Sequence, residues 1–116
     1  MSKRSNRQYL KTHRRLWALT QRELGKLTGL TRQAISHYEQ QMMRPSFEVA
    51  LRLEIIFGTT PGHLFPALYE RVEEAVMREA AVLREDLDKT KDQKKSRKKL
   101  ALLDAMMKRA TEAAVV

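Results

Sequence analysis

Residues 20–39 contain the start signals of two helices on either side of one short turn, a pattern that few folds can accommodate. Thr20, followed three residues later by Glu23, is a capping box, which predicts a helix that begins directly after the threonine. Thr31 is a second N-cap and predicts a second helix. Gly29 lies between the two helices and can adopt the positive φ that ends a helix within a residue or two.

The apolar residues of this segment are spaced so that both helices close over one small core. They are Leu24, Leu27, Leu30, Ile35 and Tyr38. Two short helices joined at a steep angle by a turn with glycine form the DNA-binding helix-turn-helix arrangement, whose second helix enters the major groove. The pattern therefore predicts an all-α fold and points to function as well.

Further helices are predicted on both sides of this motif. Residues 1–8 are expected to form a flexible basic arm. A first helix should cover residues 9–18, with Leu10, Leu16 and Trp17 facing inward.

Start and stop signals recur after the motif. Ser46 follows Pro45 and should start a fourth helix, which Gly58 ends. Thr60 and Pro61 are an N-cap and a first-turn proline, and they predict a short fifth helix. The DNA-binding domain is thus expected to span residues 9–65.

Several short motifs appear in one register along this domain. They are Arg14 with Leu19-Thr20-Gln21, Glu23-Leu24-Gly25, Ile35-Ser36 with Tyr38-Glu39, Arg44-Pro45-Ser46, Ala50-Leu51-Arg52-Leu53, Phe57-Gly58 and Leu64-Phe65. With them, residues 8–65 resemble the five-helix DNA-binding domain of the phage-repressor-like (lambda repressor, xenobiotic-response-element) helix-turn-helix family. The chain departs from the family pattern at Ala18 and Gln41, where glycine is common, and at His13, where an apolar residue is common.

Reading a DNA sequence requires hydrogen-bonding side chains at the exposed start of the recognition helix. Arginine can pair with guanine and glutamine with adenine, each through two hydrogen bonds. In the family that the chain resembles, the matching positions commonly touch bases. The predicted base-contacting residues are Arg32, Gln33, Ser36 and His37.

Phosphate contacts are expected from helix N-termini and flexible cations. Gln21 matches a family position that holds the DNA backbone. The further candidates are Thr31, Arg44, Lys3, Arg4 and Arg7. The resemblance also implies a buried salt bridge between Arg14 and Glu39, which would position the recognition helix without reading sequence.

The composition changes after Pro66, and residues 66–116 contain two apolar stripes at helical spacing. A small domain cannot bury both stripes by itself, so they need each other or a second chain. We expect a helical extension that forms a homodimer, and the alternative is a helix folded back onto its own domain. The predicted dimerisation residues are Leu68, Val72, Val76, Leu83, Leu87, Leu100, Leu103 and Met107.

The two stripes are separated by residues 89–99, which carry seven basic residues and one acidic residue. Such a run is equally compatible with a solubilising linker and with a role in holding DNA. The whole chain has a net charge of +9 and a pI near 10.2, which favours a polyanionic partner.

Enzymatic chemistry is not indicated. The chain has no cysteine, and His13, His37 and His63 are too far apart in sequence to suggest a metal site. We expect no catalytic residues, no metal and no cofactor. No apolar run is long enough to span a bilayer and no signal peptide is apparent, so a cytoplasmic protein is expected.

These observations favour a sequence-specific transcriptional regulator, expected to be a repressor, that binds double-stranded DNA as a homodimer on a palindromic operator. Two alternatives stay open. One is an antitoxin-type autoregulator that binds a toxin protein through its C-terminal helices. The other is an architectural nucleic-acid binder that acts through charge alone.

Overall fold

The computed structural model describes the backbone of residues 9–115 and the side chains of residues 9–112. The predicted arm, residues 1–8 with Lys3, Arg4 and Arg7, lies outside the described residues. The described chain is all-α, which confirms the predicted fold class. Its helices are α1 (Tyr9–Leu16), α2 (Gln21–Thr28), α3 (Arg32–Glu39), α4 (Phe47–Phe57), α5 (Pro61–Leu64), α6 (Pro66–Asp88) and α7 (Gln93–Val115).

The chain divides into two compact units, Met1–Arg71 and Val72–Val116. Ala67, in the first turn of α6, is buried. No helix in the described part of the chain is both long and apolar enough to cross a membrane.

The capping box at the start of α2 is present as predicted. The Thr20 hydroxyl accepts a hydrogen bond from the Glu23 backbone N–H at 3.0 Å, and the Glu23 carboxylate accepts one from the Thr20 N–H at 2.9 Å. The second bond holds the pKa of the Glu23 carboxyl below its ordinary value, because it favours the charged form. Gly29 ends the helix with a φ of 75°.

The core of the first unit contains residues from each of the helices α1 to α5. It consists of Leu10, Leu24, Ile35, Tyr38, Val49, Leu53 and Leu64, with Leu30, Ala34, Ile56, Phe57 and Phe65 packed against it. Gly25 makes the close approach of α2 to the following turn possible, since a Cβ atom there would lie 2.6 Å from the Leu30 carbonyl oxygen.

Three apolar residues expected in this core are exposed instead. Leu16 and Trp17 are 72% and 63% exposed, and α1 ends at Leu16 rather than at residue 18. The inward position one turn after Leu10 belongs to Arg14, which is buried.

Leu27 is the third exception and is 52% exposed. Thr28, one turn after Leu24, takes the inward position of α2, and its hydroxyl donates to the Leu24 carbonyl at 2.9 Å. The prediction from apolar spacing that Leu27 would be buried with Leu24 is therefore wrong.

The second unit contains the rest of α6 and all of α7. Leu87 of α6 and Leu103 of α7 are buried, whereas Val72, Val76, Leu83 and Met107 of the two predicted stripes are exposed. Arg84 of α6 donates a hydrogen bond to the Asp104 carboxylate of α7 and forms an ion pair with it. Residues 89–92 of the basic run connect α6 to α7, and the rest of the run belongs to α7, which begins at Gln93.

The predicted dimerisation residues fall into three groups. Leu87 and Leu103 are buried, and Leu68 and Leu100 are partly buried. The exposed ones, each with about half of its surface accessible, are Val72, Val76, Leu83 and Met107.

Candidate nucleic-acid interface

The orientation of α3 is fixed at its start and along one side. The Thr31 hydroxyl accepts a hydrogen bond from the Ala34 N–H at 3.0 Å and caps the helix. Ile35 and Tyr38 are buried in the core of the first unit, and Ala34 is partly buried against it. The opposite side of α3 therefore faces away from the core.

The four predicted base-contacting residues lie on this outer side. Arg32 and Gln33 are exposed in the first turn, while Ser36 and His37 are partly exposed in the second. The Ser36 hydroxyl accepts a hydrogen bond from the Gln40 side-chain amide at 3.3 Å. The structure thus brings together hydrogen-bonding groups of the kinds that read base edges.

Arg14 of α1 and Glu39 at the end of α3 form a buried ion pair. The Arg14 Nε and Nη2 atoms donate to the two carboxylate oxygens of Glu39 at 2.5 and 3.1 Å. Arg14 Nη1 donates to the Leu19 carbonyl at 2.8 Å. One guanidinium group therefore ties α1, the connection to α2 and the end of α3 together.

Gln21, a predicted phosphate contact, extends this network to the outer side of α3. Its amide nitrogen donates to Glu39 Oε1 at 3.1 Å, and its amide oxygen accepts from Arg32 Nη1 at 3.4 Å. Glu39 thereby orients the Gln21 amide so that its acceptor atom faces Arg32. The network connects a buried carboxylate to a predicted base-contacting side chain.

A shallow depression beside α3 is lined by cationic side chains from three helices. We call it the basic depression; it is lined by Lys11, Arg14, Arg15, Thr20, Gln21, Arg22 and Arg32. Lys11 and Arg15 are one turn apart on α1, and Arg22 lies in the first turn of α2. Among the described residues that line it there is no carboxylate, so the charged side chains of its lining are all positive.

A second depression adjoins the first at Lys11 and Gln21. Its remaining lining residues are Ser36, Glu39 and Gln40. The basic depression and the outer side of α3 therefore form one continuous surface.

Sequence reasoning missed Lys11, Arg15 and Arg22 as members of this surface. The four-residue spacing of Lys11 and Arg15 on a predicted helix was the available signal. That spacing alone does not show which side of the helix lies beside α3, because this depends on how α1 packs.

The other predicted phosphate contacts lie elsewhere or serve a local role. Thr31 is the N-cap of α3, and Arg44 is exposed in the connection to α4. Arg44 lines a small pocket with Arg71 and is not part of either depression described above. Among the described residues, no three histidine, aspartate or glutamate side chains lie close enough together to hold a metal ion.

Comparison with known proteins identifies one segment. Residues 12–64 match the family model described as helix-turn-helix. The match runs from α1 to α5 and includes the whole outer side of α3. No curated protein and no solved structure gave a significant match to the chain.

Proposed function

The chain belongs, through residues 12–64, to the family of lambda-repressor-like helix-turn-helix regulators, and we propose that it represses transcription as a homodimer on a palindromic operator. The observation that carries this proposal is the outer side of α3, where Arg32, Gln33, Ser36 and His37 adjoin the basic depression. Occupation of the operator would exclude RNA polymerase. We place this activity in the cytoplasm of a prokaryotic cell.

We assign base contacts to the start of α3 and phosphate contacts to the basic depression. Arg32 and Gln33 lie in the first turn of α3, the end that reaches base edges when such a helix enters the major groove. The basic depression would hold the phosphates beside the groove, which fixes the register of α3 on the duplex. Base contacts would then supply sequence preference, and phosphate contacts would supply most of the salt-dependent affinity.

Replacement of Gln33 by alanine tests the reading role. It should cost about 1–3 kcal/mol per half-site on the preferred duplex and relax preference at particular base pairs. On a scrambled duplex the change should be smaller, because Gln33 carries no charge. Titration of both duplexes at several salt concentrations measures this difference. Equal losses on both duplexes would show that α3 does not read bases here.

Replacement of Lys11 and Arg15 by glutamine tests the holding role of the basic depression. Binding to the preferred and scrambled duplexes should weaken alike, and the log–log salt slope should fall by about one unit per lost contact. The control is the double variant Arg78→Gln with Lys108→Gln, which removes the same charge from exposed positions of the second unit. An unchanged slope in the Lys11 and Arg15 variant would exclude the depression from the DNA contact.

The homodimer proposal rests on two lines of residues along α6. One line, on the side of α6 that packs with α7, comprises the partly buried Met77, Ala80 and Arg84 and the buried Leu87. The other comprises Val72, Val76 and Leu83, with Glu79 at the remaining position, and the three apolar side chains are 50%, 46% and 44% exposed.

Both lines have the alternating three- and four-residue spacing of helix–helix contacts. A helix that has two such lines has the pattern of a helix in a four-helix bundle, in which each helix packs on two neighbours. Two copies of the second unit would complete such a bundle. This assembly would hold two recognition helices in one particle, as a palindromic site requires.

A further inference from the structure

The first two turns of α7 carry five cations, which we call the basic array. They are Lys94, Lys95, Arg97, Lys98 and Lys99. All five are exposed, whereas Ser96 in their midst is 2% exposed. At about 100° per residue, the five side chains spread over an arc of about 200° on the side of α7 opposite Ser96.

The basic array lies at the end of α7 where positive charges destabilise a helix. A helix N-terminus carries partial positive charge, so cations in the first turns are unfavourable there. Asp92, directly before α7, places a negative charge at this end of the helix. Its carboxylate accepts a hydrogen bond from the Lys95 N–H at 3.1 Å. A local conflict of this kind is expected where a surface is used for binding.

Within the described residues, the carboxylates of α6 form no ion pair with the basic array. Glu85, Asp86 and Asp88, at the end of α6, are exposed. Within residues 9–112, the ion pair between the two helices is formed by Arg84 and Asp104, and no cation of the basic array pairs with a carboxylate. The positive charge of the array therefore faces solvent.

We propose that the basic array is a second DNA-binding site, which holds the phosphates of double-stranded DNA without reading sequence. Five charges along about 7.5 Å of helix form a dense array. Duplex DNA is its counterpart, with one negative charge per about 1.7 Å of its axis.

Duplex DNA is also the polyanion that the first unit is proposed to bind. In this respect the inference rests on the proposed function. Tethering raises the local concentration of phosphates around the second unit. A membrane surface fits less well, because residues 89–99 contain no apolar side chain that could enter a bilayer.

The test is the full-length triple variant Lys94→Gln, Arg97→Gln and Lys98→Gln, titrated with selected and scrambled duplexes at several salt concentrations. On both duplexes the salt slope should fall by about one unit per lost contact, and affinity at 0.1 M salt should fall about tenfold or more. The ratio of the two affinities should not change, because phosphate contacts carry no sequence information. The variant should melt no lower than the parent, since it removes an unfavourable helix-dipole interaction.

The matched control is the triple variant Arg78→Gln, Lys108→Gln and Arg109→Gln, which removes the same charge from other exposed positions of the second unit. It should keep the slope of the parent. A parental slope in the basic-array variant would overturn the proposal, and would leave an acidic protein as the class of partner to test. Equal losses in the two triple variants would also overturn it, because net charge alone would then explain the effect.

The basic-array proposal and the proposed function can fail separately in this experiment. The slope on the scrambled duplex tests the basic array even if the chain has no preferred sequence. Conversely, a preference that is lost in Gln33→Ala supports reading by α3 even if the basic array has no effect.

Discussion

Replacement of Glu39 by alanine is expected to destabilise the first unit by about 3–5 kcal/mol, because it leaves the buried Arg14 guanidinium without its carboxylate partner. It should also weaken binding to every DNA sequence. Loss of Glu39 frees the end of α3 and the Gln21 amide, and the Gln21 amide supports Arg32. Urea unfolding and titration of selected and scrambled duplexes measure the two effects.

Glu48→Ala provides the matched control for this prediction. Glu48 is exposed and forms an ion pair with Arg52 one turn away on the same helix, at 3.2 Å. Exposed pairs of this spacing contribute about 0.3–0.5 kcal/mol, so this variant should unfold nearly like the parent. If Glu39→Ala unfolds as Glu48→Ala does, the buried pair does not position α3 as we describe.

Replacement of Val72 and Val76 by lysine is expected to convert the proposed dimer to a monomer. Each lysine places a charge in the exposed line of α6, where the partner would bury it. Lysine has a higher helix propensity than valine, so α6 itself should not weaken. Affinity for a palindromic duplex should fall by about 10²- to 10⁴-fold, because two half-sites are no longer held by one particle. Sedimentation and duplex titration measure both results.

Val82→Lys controls for the added charge. Val82 is 57% exposed on α6 but lies outside the exposed line that would form the contact. This variant should remain dimeric and bind DNA at least as well as the parent. A parent chain that sediments as a monomer at micromolar concentration would contradict the proposed assembly outright.

The local signals in the sequence predicted helix starts and ends well. The capping threonines Thr20 and Thr31, the capping Ser46 and the terminal Gly58 all act as expected. Each of these signals depends on hydrogen bonds or φ angles within a few residues, so no knowledge of tertiary packing is needed.

Burial was harder to predict, because it depends on which helices meet. Apolar spacing placed Leu16, Trp17 and Leu27 inside, but the buried positions belong to Arg14 and Thr28. A buried arginine at a core position is possible because Glu39 and the Leu19 carbonyl receive its hydrogen bonds.

Two of the residues that depart from the family pattern adopt an unusual backbone conformation. Ala18 and Gln41 stand where glycine is common, and both adopt positive φ angles, 57° and 62°. An L-residue pays about 1–2 kcal/mol for this conformation. Both turns therefore contain a non-glycine residue in a conformation that glycine adopts more readily, and the residue types alone did not reveal this.

The candidate site was predictable on α3 and not beyond it. The burial of Ile35 and Tyr38 alternates with the exposure of Arg32 and Gln33, as helical periodicity indicates. The basic depression is built by three helices, and its composition follows only from their packing. The base and phosphate contacts themselves stay predictions.

Selection of duplexes from a randomised pool by the full-length chain tests sequence-specific binding as a dimer most directly. We predict enrichment of two inverted copies of one short sequence, with centres about 10–10.5 base pairs or a multiple of this distance apart. The selected duplex should then bind about 10³-fold or more tightly than its scrambled version at the same salt concentration. A pool in which no sequence is enriched would contradict the proposed function.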